Sequence, residues 1–214
     1  MFLYQETYYV RPGLQDVIDQ RVRSLHVNHA TNAAAAAMDW SKYLGDGTTF
    51  LAFRLWHERN VTYDEKQLAW MREYNRTRPA DAFVAPPDIE LFDQVDQAET
   101  ALPGGTFLIR TEIQAGGASA WGALEAELKQ RLLGNTLFAE YRLYRFLGAE
   151  TRYFRTEFWH TREAANEFWR HEDMRDFTTR LIATLRRPPE AAHYEILHQL
   201  GSAKPLPTLI KPAS

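Results

Sequence analysis

The residues of this chain best suited to acid–base chemistry are two Trp-His dipeptides, Trp56-His57 and Trp159-His160. An imidazole with an ordinary pKa near ~6.5 can take a proton from a bound molecule at neutral pH. The structural alternative makes each Trp a core residue and each His a cap where a strand meets a helix. Arg110, Glu112 and Gln114 alternate with Ile109 and Ile113, so one face of that segment is polar. Such a face suits the lining of a ligand pocket, and a solvated sheet edge gives the same alternation. Arg110 is placed to stabilise an anion on the ligand. The candidate catalytic groups are therefore His160, His57 and Arg110. The candidate pocket lining is Trp159, Trp56, Glu112, Phe168 and Trp169.

Other chemistries find less support. His26 and His29 have a spacing compatible with metal ligation, but no third ligand stands near them. His193 and His198, five apart on an expected strand, point to opposite faces, so no metal is expected. The chain has no cysteine, which excludes thiolate catalysis and disulfides. His57-Glu58 and His171-Glu172 do not continue as His-Glu-x-x-His, and the glycine pairs match neither a P-loop nor a dinucleotide fingerprint. No Gly-x-Ser-x-Gly elbow occurs. No cofactor is expected.

The net charge of -3 is spread over interspersed signs, so neither nucleic acid nor an anionic membrane surface is an expected partner. The longest apolar run, Ala33 to Met38, is too short to span a bilayer. The N-terminus lacks the pattern of a signal peptide, and the expected location is the cytoplasm. The sequons at Asn60-Val61-Thr62 and Asn75-Arg76-Thr77 read as chance.

The elements that must position these residues come in two copies. Tyr43 to His57 aligns with Phe146 to His160 at a constant shift of 103, with Leu, Gly, Thr, Trp and His coinciding. Phe2-Leu3 matches Phe107-Leu108 at 105, Pro86-Pro87 matches Pro188-Pro189 at 102, and Glu90 to Val95 matches Glu195 to Leu200 at 105. Each copy reads strand–helix–strand–strand–helix–strand, the ferredoxin-like plan. The expected units are residues 1–96 and 106–200, linked through Pro103-Gly104-Gly105 and followed by a Pro-rich tail, 201–214. In the second copy, strands are expected at Phe107 to Gln114, Leu137 to Leu147, Arg152 to Trp159 and His193 to Leu200. Thr161 caps a helix that breaks near His171-Glu172-Asp173 and stops at Pro188-Pro189. In the first copy a longer first helix region runs from Gln15 through Ala33–Ala37; alanine favours helix, and it is also small enough for close backbone packing. Arg54 and Glu157, each two before its Trp, are expected to face each other across the pseudo-twofold axis.

The stretch Phe158 to Phe177, with a strand ending in Trp, a Thr cap, Glu163-Ala164 opening a helix and a mid-helix break before Phe177, resembles the dimeric α+β barrel proteins, among them the antibiotic-biosynthesis-monooxygenase-like and NIPSNAP-like families. Tyr8 to Gly13 resembles their opening strand. The resemblance implies an α+β fold in which two ferredoxin-like units, here in one chain, join their sheets into a barrel. It also implies a cofactor-independent monooxygenase acting on an aromatic or polyketide-like substrate. The small apolar or aromatic ligand would sit between sheet and helices, with His160 or His57 as base and Arg110 holding the anion. The alternative is a non-catalytic ligand-binding or interaction module, and a homodimer of tandem chains fits either. The Trp and His used by haem-degrading members fall at Phe168 and Thr178, so haem degradation is not expected.

Overall fold

The computed structural model describes residues 1–30, 35–59, 72–73, 76–77, 79–102 and 104–200. Both sequons, Ala33 and Ala34, Pro103, most of the loop after His57 and the tail from Gly201 lie outside them or rest on residues that do. The first half supplies β1 (Phe2–Tyr9), α1 (Gln15–Ala30), β2 (Ala35–Tyr43), β3 (Thr49–Trp56) and β4 (Asp88–Glu99). The second supplies β5 (Phe107–Gln114), α2 (Ala118–Leu133), β6 (Phe138–Phe146), β7 (Arg152–Trp159), α3 (Arg162–Arg170), α4 (Glu172–Ala183) and β8 (Glu190–Leu200).

The eight strands close into one antiparallel barrel in the order β1-β3-β2-β8-β5-β7-β6-β4. Each half contributes a four-stranded ferredoxin-like sheet, β4-β1-β3-β2 and β8-β5-β7-β6. The sheets are sewn together where β2 meets β8 and β4 meets β6. The architecture is thus a tandem α+β barrel. Because β1, β2, β5 and β6 all run the same way, the pseudo-twofold relating the halves lies along the barrel axis.

Period-two alternation decides which side chains face the axis. Phe107, Ile109, Ile113, Tyr141 and Trp159 point outward and pack with Trp121, Leu128 and Leu132 of α2 and Phe177 and Leu181 of α4. Tyr8, Met38, Trp40 and Phe50 point outward in the first half and pack with Ile18 and Val22 of α1. Leu3, Phe53, Phe92, Leu108, Tyr144, Phe154 and Phe158 fill the barrel itself.

Local chemistry sets the element ends. Thr161 accepts the Ala164 N–H at 3.1 Å and starts α3. His171 leaves helical geometry at φ -58, ψ 143, separating α3 from α4 as the polar triplet there predicts. Gly148, at φ +77, turns the β6–β7 hairpin.

Three expectations need correction. Ala35 to Ala37 are strand, not helix: Ala35 pairs with Trp56 and Ala37 with Leu55, and all three are buried. Ladder pairing and a site that admits only small side chains override alanine's helix propensity. β4 continues to Glu99, opposite Glu140 of β6, so part of the expected link is ladder. β8 carries an irregularity opposite Trp40 and Ser41, which skips one residue. His193 and His198 therefore both face outward, His193 against Phe107 and His198 2.9 Å from Asp19 of α1. Among the described residues no helix is long and apolar enough to cross a membrane.

Candidate functional site

The barrel interior is plugged at mid-height by aromatic rings. Phe154 stacks on Phe53 at 5.8 Å and on Tyr144 at 4.6 Å, and meets Phe92 edge-on at 4.5 Å. A buried arginine lies on either side of this plug: Arg110 over the Phe154 ring at 4.7 Å and Arg142 over the Phe158 ring at 4.7 Å. Each meets its own counterpart from the other half. Arg110 corresponds to Gln5 at the shift of 105, and its Nε donates to Gln5 Oε1 at 3.1 Å. Arg142 corresponds to Asp39 at the shift of 103, and its Nη1 donates to Asp39 Oδ2 at 2.7 Å.

On the Arg110 side the barrel opens into a cleft of about 420 Å³ lined by Gln5, Tyr9, Asp88, Glu90, Arg110, Glu112 and Tyr194, among others. Arg110 Nη1 donates to Glu112 Oε1 at 2.9 Å, and Gln5 Nε2 donates to Glu90 Oε2 at 3.0 Å. At the rim, Arg152 stands 3.5 Å from Glu112 and 3.7 Å from Glu90. Burial works to raise the Glu112 pKa, but Arg110 and Arg152 outweigh it and hold the carboxyl below its usual range. Tyr9 donates to Asp88 at 2.7 Å, and that bond, with burial, pushes the phenol up to about 12, so it stays a donor. The cleft thus presents an ionised carboxylate, a fixed guanidinium and two phenol rings to an entering molecule.

On the other side, Arg142 is held by Asp39 and by both oxygens of Glu140, all three buried. Burial raises the pKa of Asp39 and of Glu140 against the pull of Arg142. This is a closed ion cluster with one more carboxylate than cation, and burial favours the protonated form of each carboxyl.

The remaining expected site residues disperse. Arg110 and Glu112 come together in the cleft, whereas Trp56 and Trp159 are core residues on the helix side of the sheet, 1% and 0% exposed. His57 is exposed just past β3 and His160 half-buried just past β7. Both lie toward the end of the barrel opposite the Arg110 cleft. Since Arg110 pairs with Thr156, Trp159 is three residues further along β7, a separation on the order of 10 Å. Phe168 borders a shallow groove of about 380 Å³ with Arg131, Leu137 and His171. Trp169 donates its Nε1–H to Glu157 Oε2 at 3.0 Å.

Arg54 and Glu157 do not face each other. Sharing the parity of Trp56 and Trp159, both point away from the axis. Arg54 meets Glu6 at 2.5 Å, and Glu157 accepts from Arg155 at 2.8 Å, within a buried network that also joins Arg155 to Glu125 at 2.9 Å. The residues that do meet across the axis, Gln5, Asp39 and Arg142, are absent from the sequence-based candidates. The side chains of His26 and His29 lie outside the described residues.

No family model matches the chain, and no curated protein matches it by sequence. Solved structures do match its shape. A Fusobacterium nucleatum protein described as a candidate monooxygenase superposes with a TM-score of 0.77 at 9% identity, over 92% of this chain and 93% of that one. An anthrone oxidase-like protein gives 0.61 at 12%, over 98% and 96%. A Listeria monocytogenes ferredoxin-fold protein related to antibiotic biosynthesis monooxygenases gives 0.53 at 7%, over 91% and 95%. The fold is that of the antibiotic-biosynthesis-monooxygenase-like barrels. Identities this low carry the monooxygenase-like barrel as architecture; the substrate has to be argued from the residues.

Proposed function

We propose that this monooxygenase-like barrel binds a small hydroxylated aromatic molecule in the Arg110 cleft. The convergence there of Arg110 and Glu112 with Gln5 and Glu90 of the other half, around about 420 Å³, carries the reading. Concave sites with a few convergent polar groups and aromatic walls are the usual form of small-molecule seats. Hydroxyls of the ligand would donate to Glu112 and Glu90 and accept from Arg110, with the Tyr9 and Tyr194 rings alongside. Binding without turnover is favoured because, among the described residues, no imidazole stands beside Arg110: His57 and His160 lie toward the other end, and the Glu112 carboxyl, held below its usual range, is a weak proton acceptor.

A second reading, cofactor-independent oxygenation of an aromatic or polyketide-like substrate, draws on the shape likeness to the anthrone oxidase-like protein. In it Arg110 would hold the substrate oxyanion. Calorimetric titration with hydroquinone and anthrone, paired with oxygen-electrode traces, separates the two. Binding that weakens at least tenfold in Arg110→Met and Glu112→Gln, without oxygen uptake, supports the binding reading. Uptake abolished by Arg110→Met moves the protein to the second reading. If both probes bind the folded variants as they bind the native protein, the cleft is not the seat.

A further inference from the structure

Below the aromatic plug, the barrel carries more polar groups than it satisfies. Asp39 Oδ1 and Ser41 Oγ are sealed from solvent and hydrogen-bond to no described residue, Tyr144 Oη is sealed with no well-formed hydrogen bond although Arg142 lies near enough to favour its ionised form, and each of these residues is 0% exposed. Gln94 Oε1 and Gln199 Nε2 are in the same position. All five side chains face the axis. Asp39 stands opposite Gln199 in the β2–β8 ladder and Gln94 opposite Tyr144 in the β4–β6 ladder, while Ser41 follows Asp39 on the same face. Gln199 lies near enough to Asp39 to favour its charge without bonding to Oδ1. Protein interiors seldom leave such groups unmatched, because each keeps its full desolvation penalty. The walls here are also small. Ala36, Ala37 and Ala139 occupy barrel positions where the plug has phenylalanines.

We propose that this end of the barrel is an internal binding site for neutral hydroxyl-bearing guests. A hydroxyl donates to Asp39 Oδ1 or Gln94 Oε1 and accepts from Gln199 Nε2, and the Ser41 and Tyr144 hydroxyls take either role. Arg142 is already paired with Asp39 and Glu140, so a neutral guest meets these groups through hydrogen bonds alone. The site is separate from the Arg110 cleft, since the Phe53, Phe92 and Phe154 rings lie between them, and it stands whether or not that cleft binds anything. Ordered water and a small alcohol or polyol share the required chemistry.

Full-length Ser41→Ala, Tyr144→Phe and the double variant decide the matter by the sign of their thermal shift. If guests bond to these hydroxyls, each loss lowers Tm by about 2–4 °C, and the double variant falls further. If the hydroxyls have no partner, removing them removes a penalty; an unchanged or higher Tm overturns the proposal. Should a variant fail to fold, crystals of the native protein give the answer. Density bridging Asp39 Oδ1 and Tyr144 Oη supports the site, and its absence overturns it. Mass spectrometry of the extract from denatured native protein distinguishes the sources: a stoichiometric alcohol or polyol identifies an organic guest, and single-oxygen density without one identifies water.

Discussion

Arg142→Met is the most informative single change in the barrel. It removes the guanidinium that holds Asp39 at 2.7 Å and grips both oxygens of Glu140. Arg142 and Asp39 are 2% and 0% exposed, so water cannot replace the lost partner. Truncating one member of such a cluster costs about 3–5 kcal/mol, because the remaining charges are stranded. For a chain of this length that is a fall in Tm of roughly 6–20 °C. The sign of the pH dependence follows from the raised pKa values of Asp39 and Glu140. A carboxyl raised in the folded state binds more protons there than in the unfolded chain. Its contribution to stability is therefore largest below the unfolded carboxylate pKa and declines as pH rises through the folded value. Without Arg142 the two carboxyls must be neutral to stay buried, so the deficit should be larger at pH 8 than at pH 5. Scanning calorimetry of both proteins at the two pH values measures this directly. A triple change, Asp39→Leu, Glu140→Met and Arg142→Met, should regain most of the loss, since apolar replacement of a whole buried cluster is often neutral. Unfolding of Arg142→Met within about 2 °C of the native protein, or a deficit equal at the two pH values, would refute the reasoning.

Four further outcomes are expected. Thr161→Ala removes the cap of α3 and should cost about 1 kcal/mol, read as a lower urea midpoint at unchanged m-value. Gly105→Ala places a Cβ 2.7 Å from the Trp159 carbonyl oxygen and should cost about 1–3 kcal/mol. Gly117→Ala has nothing within 4 Å of the new methyl, but Gly117 is the N-cap of α2, where alanine is disfavoured, so it should cost about 0.5 kcal/mol in the same denaturation assay. Glu112, whose folded pKa is lowered, contributes stability present above its unfolded pKa and lost as pH falls through the folded value; in acid titration followed by circular dichroism, Glu112→Gln should flatten that limb.

The duplication was legible because Leu-Gly and Trp-His recur at a fixed shift, and β7 runs from Arg152 to Trp159 as its aromatic and β-branched content predicts. The polar face of Arg110 and Glu112 was legible for the same reason. Asp39 was not, because it follows an alanine run whose propensity points to helix, and its strand pairing with Phe53 depends on residues distant in sequence. The shift of 103 that aligns Tyr43 with Phe146 also places Asp39 on Arg142. The signal was present, and only the strand assignment of Ala35–Tyr43 makes it readable as a pair of facing side chains. Arg54 and Glu157 went astray by parity alone. Sharing a face with a helix-packed Trp excludes them from the axis.

The pairs Gln5–Arg110 and Asp39–Arg142 have a meaning for the history of such barrels. In a barrel assembled from two identical chains, any residue on the dyad meets its own image. An arginine there confronts an arginine, and every substitution is felt twice. Once both halves share a single gene product, each half drifts alone, and an acid can settle opposite a base at a position where identity once forbade it. That freedom also has a cost in reversibility. A half that carries Arg142 and Arg110 would set two arginines against two others if it paired with a copy of itself, so the fused chain has made its halves complementary to each other and poor partners for themselves.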